Sequence, residues 1–166
     1  EGEHYIIMPY VEGDTLAQHL TKNGGKLPCD EACRIAHEIA KGLAAIHPGI
    51  VHRDLKPENI IIGDDGRVYI VDFGICKNST QKTITTGDGI LGSLPWMSPQ
   101  QLHNAVKVDH RSDLYSLGAM MYAMFTGAPP IQGKDFGEIA ASILSYTPPS
   151  PRQFDPSIPL HIAQAC

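Results

Sequence analysis

Residues 50–74 read IVHRDLKPENIIIGDDGRVYIVDFG, and this stretch decides the fold. Two short β-type runs, 60–62 and 68–71, are joined by Gly63-Asp64-Asp65-Gly66, a pattern that predicts a hairpin. His52, Arg53, Asp54, Lys56 and Asn59 precede the hairpin, and Asp72 follows it. The polar groups therefore collect at strand ends and turns, where a rigid scaffold commonly carries a site.

Outward from the hairpin, the pattern becomes helical. Ala32, Ile35, Ala36, Ile39, Ala40, Leu43 and Ala44 recur at three- and four-residue steps, predicting a helix over 30–47 that Pro48-Gly49 stops. A second helix is expected over 112–126. It is apolar all round, with Leu114, Leu117, Met120, Met121, Met124 and Phe125, and should be central and buried. Shorter helices are expected over 15–20 and 136–144, with a turn at Asn23-Gly24-Gly25. Residues 4–11 read as a β-run broken by Glu12-Gly13-Asp14, residues 77–92 as a long functional loop, and 147–159 as a Pro-rich loop. The expected class is α+β, mainly helical, with one short hairpin.

Composition narrows the possibilities. The 166 residues are 42% hydrophobic and 19% charged, an ordinary globular balance with room for a core. A net charge of −5 argues against nucleic acid as a partner. Four cysteines are too few for a disulfide scaffold and are expected as reduced thiols in a cytoplasmic protein. No apolar run reaches membrane-spanning length, so no membrane segment is expected here. Cys29, Cys33 and His37 fall four apart, but a fourth metal ligand is lacking, so buried small residues are the expected role for the cysteines. His47 reads as a helix-end residue without chemistry. The chain opens EGEHYIIMPY and closes IPLHIAQAC, both inside regular patterns, which predicts a piece cut at both ends.

The charge order of the opening stretch has a chemical reading. Phosphoryl transfer needs an oriented hydroxyl, divalent metal on the phosphates, and positive charge where negative charge accumulates. Asp54 in a tight loop can hold a hydroxyl and accept its proton, while Lys56 can reach the transferred phosphate. Asn59 and Asp72 are hard oxygen ligands suited to Mg²⁺, and a short hairpin brings them to one end.

HRDLKPEN at 52–59 and DFG at 72–74, around a hairpin, resemble the catalytic and metal-binding loops of protein kinases. SDLYSLG at 112–118 resembles the start of the central kinase helix, where Asp113 would bind the catalytic-loop backbone. GSLPWMSPQ at 92–100 is similar to the end of an activation segment. The resemblance covers the chain as hinge strand and hinge (1–13) followed by a truncated C-lobe (14–166), with the N-lobe missing. It implies ATP and Mg²⁺ as cofactors, with Asp54 as base, Lys56 on the γ-phosphate, and Asn59 and Asp72 on the metal. Met8 would be the gatekeeper, the Pro9 carbonyl and Val11 N–H the adenine contacts, and Ile61 the floor under the ring. His52 and Phe73 would belong to the hydrophobic spine. LKPEN, with Ser93 placed to contact Asp54 and Lys56, resembles Ser/Thr kinases, and the phrasing is most like bacterial ones. Arg53 implies activation by a phosphate on Thr85 or Thr86, with Thr83 behind them.

Two departures stand beside the resemblance. Gln100 occupies the position of a Glu that would normally pair with an Arg. No Gly-rich loop, strand Lys or helix Glu is present in the 166 residues. The expected function is Ser/Thr protein phosphorylation by the parent, with this chain inactive alone and able to self-associate through its N-lobe-facing surface. The alternative is a pseudokinase or truncated lobe acting as a non-catalytic binding module.

Overall fold

The computed structural model describes residues 8–73, 92–104 and 108–166. Strand β1 (Gly13–Thr15) leads directly into helix α1 (Leu16–Lys22), and α2 (Cys29–Ile46) follows. After the polar loop come β2 (Ile60–Gly63) and β3 (Val68–Ile70). Helix α3 (Pro99–His103), the central α4 (Arg111–Thr126), α5 (Phe136–Ser145) and the short α6 (Leu160–Ala163) complete the order.

The expected hairpin is present, in the register Ile60↔Ile70, Ile61↔Tyr69 and Ile62↔Val68. Asp65 locks its turn, accepting from the Arg67 amide at 3.0 Å and the Tyr69 hydroxyl at 2.7 Å. The Tyr69 hydroxyl, then the Arg67 amide, hold the Asp65 carboxyl below its ordinary value.

One expectation is corrected. Glu12-Gly13-Asp14 is not simply a break: Gly13 and Asp14 begin β1, which pairs antiparallel with β2 as Gly13↔Gly63, Asp14↔Ile62 and Thr15↔Ile61. Residues 8–10 lie outside any strand, and Met8 and Tyr10 are exposed; residues 1–7 of the expected β-run fall outside the described residues. Gly13 makes the pairing possible. Its φ is +145°, and a Cβ built there would stand 2.2 Å from the Ile62 carbonyl oxygen. Apolar patterning could not reveal a strand whose decisive residue has no side chain.

Thr15 closes β1 and caps α1. Its hydroxyl accepts from the Gln18 amide at 3.2 Å while the Gln18 side chain accepts from the Thr15 amide at 2.9 Å. Helix α2 buries Ala32, Ile35, Ala36, Ile39 and Leu43, but Ala44, expected in the same stripe, is exposed. Those residues meet Leu55, Ile60, Leu117, Met120, Met124, Phe125 and Ile158 in the main core. Helix α4 is buried over most of its surface, with Leu114 its exposed large apolar residue at 48% exposure. A satellite core joins Leu94 to Ile131, Ile139 and Ile143, docking residues 92–97 against α5. Cys29 and Cys33 sit half-buried against the main core with their sulfurs 4.0 Å apart, and burial pushes the Cys33 thiol up. His37 is exposed.

Gly13→Ala should cost about 3 kcal/mol in denaturant unfolding, because both the dihedral and the Ile62 carbonyl oppose a methyl group. Gly49→Ala, where nothing lies within 4 Å of the added carbon, should stay within about 0.5 kcal/mol.

Candidate active site

The loop between α2 and β2 is held by one carboxylate. Asp113, 1% exposed in the first turn of α4, accepts from the His52 amide at 2.8 Å and the Arg53 amide at 2.9 Å. It also accepts from His47 Nε2 at 3.1 Å. The backbone role implied for Asp113 is therefore present. His47 differs from its reading as an inert helix end: it caps α2 and its ring leans on His110, centroids 5.5 Å apart. Sequence gave no signal for this, because His47 and Asp113 are 66 residues apart.

His52 is fully buried and ties the loop to the hairpin exit. Its Nε2 donates to the Val71 carbonyl at 3.0 Å and its Nδ1 accepts from the Asp54 amide at 3.3 Å. A carbonyl only accepts and an amide N–H only donates, so the two partners fix the Nε2–H tautomer. The ring packs on Phe73, centroids 5.1 Å apart.

Lys56 bridges two segments. Its Nζ donates to Ser93 Oγ at 2.9 Å and lies 3.7 Å from Asp54 Oδ2. The side chains of Lys56 and Asp54 are only 20% and 15% exposed, so their attraction is screened less than that of a surface pair. Ser93 thus reaches Asp54 by way of Lys56. Asn59 is buried and donates from Nδ2 to the Asp54 carbonyl at 2.8 Å. With the nitrogen so held, Oδ1 is the Asn59 atom with metal-ligand chemistry.

The Val71 amide donates to the Asn59 carbonyl at 2.9 Å, extending the hairpin pairing one step. Asp72 comes next, exposed, so the two oxygen donors do emerge at one end of the hairpin. Among the described residues only Arg53 (φ 66°) and Asp72 (φ 56°) are non-glycine residues with positive φ. Each such residue carries about 1–3 kcal/mol of strain and persists only where its surroundings over-determine it.

The segment after the loop is latched from several sides. The Ser116 hydroxyl donates to the Trp96 carbonyl at 2.7 Å, and the Ser98 and Ser112 hydroxyls, both buried, bond at 2.9 Å. Gln100, the departure from the kinase pattern, is exposed; its neighbour Gln101 is the residue that bonds the Arg53 carbonyl. Met8 and Pro9 are exposed and Val11 half-buried just before β1, while Ile61 is half-buried in β2 opposite Thr15. Thr83, Thr85, Thr86 and Gly74 lie outside the described residues. Among the described residues, no group of three or more His, Cys, Asp or Glu side chains is arranged to hold a metal.

A sequence model described as protein kinase domain matches residues 1–159. The chain belongs to the protein kinase family. It is 38% identical over 157 residues to the serine/threonine-protein kinase PrkC of Bacillus subtilis, covering 94% of this chain and 24% of PrkC. It is 37% identical over 165 residues to the serine/threonine-protein kinase PknL of Mycobacterium tuberculosis, covering 93% of this chain and 41% of PknL. The chain thus spans 24% of the length of PrkC and 41% of that of PknL. The similarity is to bacterial members of the Ser/Thr class, as the wording around Asp54 implies. Among the described residues, no helix is long and apolar enough to cross a membrane.

Asp113→Asn should lower stability by about 3 kcal/mol, measured by denaturant unfolding, since the new amide sets a donor against a buried backbone donor.

Proposed function

We propose that the protein is an ATP-dependent Ser/Thr protein kinase whose hinge lies in residues 1–13 and whose C-lobe occupies 14–166. The observation that carries this reading is the Asp54–Lys56–Ser93 chain, seated on a loop whose backbone Asp113 holds. In this reading Asp54 orients the Ser or Thr hydroxyl of a protein substrate and accepts its proton as the phosphorus–oxygen bond forms. Lys56 neutralises charge on the γ-phosphate, and Ser93 fixes where its ammonium points. Asn59 Oδ1 and the Asp72 carboxylate are donors of the hard kind that fit Mg²⁺. Bound Mg²⁺ supplies positive charge to the phosphate oxygens. Met8, the Pro9 carbonyl, the Val11 amide and Ile61 are assigned to the adenine; proline suits its position because only its carbonyl is used. The pairing of β1 with β2 supports this assignment, since it brings the segment after Val11 beside the strand carrying Ile61.

The partners in this reading are protein substrates in the cytoplasm, together with self-association through the face an N-lobe would cover. The 166 residues hold no Gly-rich loop, strand Lys or helix Glu, so by themselves they are assigned no turnover. The intact ion pair and metal donors favour an enzyme over a non-catalytic binding lobe. Arg53 is assigned a regulatory role toward phosphate on Thr85 or Thr86.

In the full-length gene product, Asp54→Asn should lower phosphate transfer from ATP to a Ser/Thr substrate about a thousandfold with folding retained. Equal turnover by that variant and the wild type would sink the reading in favour of a binding module. Thr85→Ala with Thr86→Ala should lower activity as well; unchanged turnover would remove the regulatory assignment.

A further inference from the structure

Arg53 immediately precedes the proposed catalytic Asp54 and sits at φ 66°, a conformation that costs an ordinary residue free energy. Such a residue needs its two peptide groups held from outside. Its N–H donates to Asp113 Oδ1 at 2.9 Å, on α4. Its carbonyl accepts from Gln101 Nε2 at 2.8 Å, on α3. The strained residue is therefore gripped from both sides by side chains of two different helices.

Gln101 has a second bond, at its other amide atom. Oε1 accepts from the Ser98 amide at 2.9 Å, and the Gln101 amide in turn donates to Ser98 Oγ at 3.3 Å, closing the capping box of α3. A backbone amide only donates and a backbone carbonyl only accepts, so the two partners determine which end of the side-chain amide is which. Ser98 is itself bonded to Ser112 at 2.9 Å, one residue before Asp113. One closed path thus runs from α4 through Ser98 and Gln101 to Arg53, and back through Asp113.

The geometry points to Gln101 as a positioning residue for Asp54. It couples the docking of residues 98–103 to the backbone conformation that aims the carboxylate. The inference rests on the kinase reading of Asp54 and adds a device to it: the α3 segment reports its own placement to the catalytic loop through one side-chain amide. Only Gln at this position serves both partners. Glu keeps the acceptor for Ser98 and is the commoner capping-box residue, but it has no N–H for Arg53.

That asymmetry supplies the experiment. In the full-length gene product, Gln101→Glu is compared with wild type, with Gln101→Ala and with Asp54→Asn. Gln101→Glu should lower kcat about tenfold while KM for ATP stays at its wild-type value and the melting temperature falls less than in Gln101→Ala. Hydrogen exchange should quicken in the peptide spanning 50–57 and not in the one spanning 98–103. Gln101→Ala, which loses both bonds, should lower kcat and the melting temperature together. Wild-type kcat in Gln101→Glu, or a kcat loss that merely follows lost stability, overturns the inference. So does unchanged exchange over 50–57, a readout that decides the matter even without turnover. Failure of the kinase reading is distinguishable, because then Asp54→Asn equals wild type.

Discussion

Much of this structure depends on the carboxylate of Asp113. A buried carboxylate is costly unless donors surround it, and an Asp113 exposed by only 1% has two backbone amides and an imidazole around it. The amides belong to His52 and Arg53, so satisfying the charge and shaping the loop that carries Asp54 are the same event. Helix α4 can serve as the anchor because its own position is not negotiable. Met120 and Met124 are fully buried, and α4 packs along α2, which delivers the chain into the loop from the other side.

Strain marks both ends of the site. Arg53 and Asp72 adopt positive φ on either side of the hairpin, next to the groups that phosphate chemistry would use. Between them the β2–β3 ladder is a short spacer, extended by the Asn59–Val71 bond, which sets the separation of Asn59 and Asp72 along the chain's path. His52 joins the two strained places, reaching the Asp54 amide with one ring nitrogen and the Val71 carbonyl with the other. The site is thus a set of loops whose freedom has been removed by buried hydrogen bonds.

The two helical periods and the hairpin were legible because each depends on local spacing. Asp54, Lys56, Asn59 and Asp72 stand out in the sequence as candidates because their residue types, in that order, match one chemistry. Strand β1 was not legible, since a three-residue strand with Gly13 at its start carries no alternation to read. Leu114 illustrates a different limit. Apolar residues all round predict that each is buried, yet the neighbours packed around α4 leave Leu114 to solvent. His47 and Gln101 were missed because their partners lie 66 and 48 residues away, and nothing near either residue points to the contact. Gln100 departs visibly from the kinase pattern, but the neighbouring Gln101 makes the contact.

The sequence by itself determined which chemical groups are available and the order in which the chain meets them. It also set the local elements, because helix and hairpin periods are read over a few residues. Tertiary structure alone decided how those groups are aimed. The φ of Arg53, the tautomer of His52 and the two-sided grip of Gln101 each depend on atoms from distant segments. A side chain's chemistry is local, but the hydrogen bonds that orient it are satisfied only where the folded core brings those segments together.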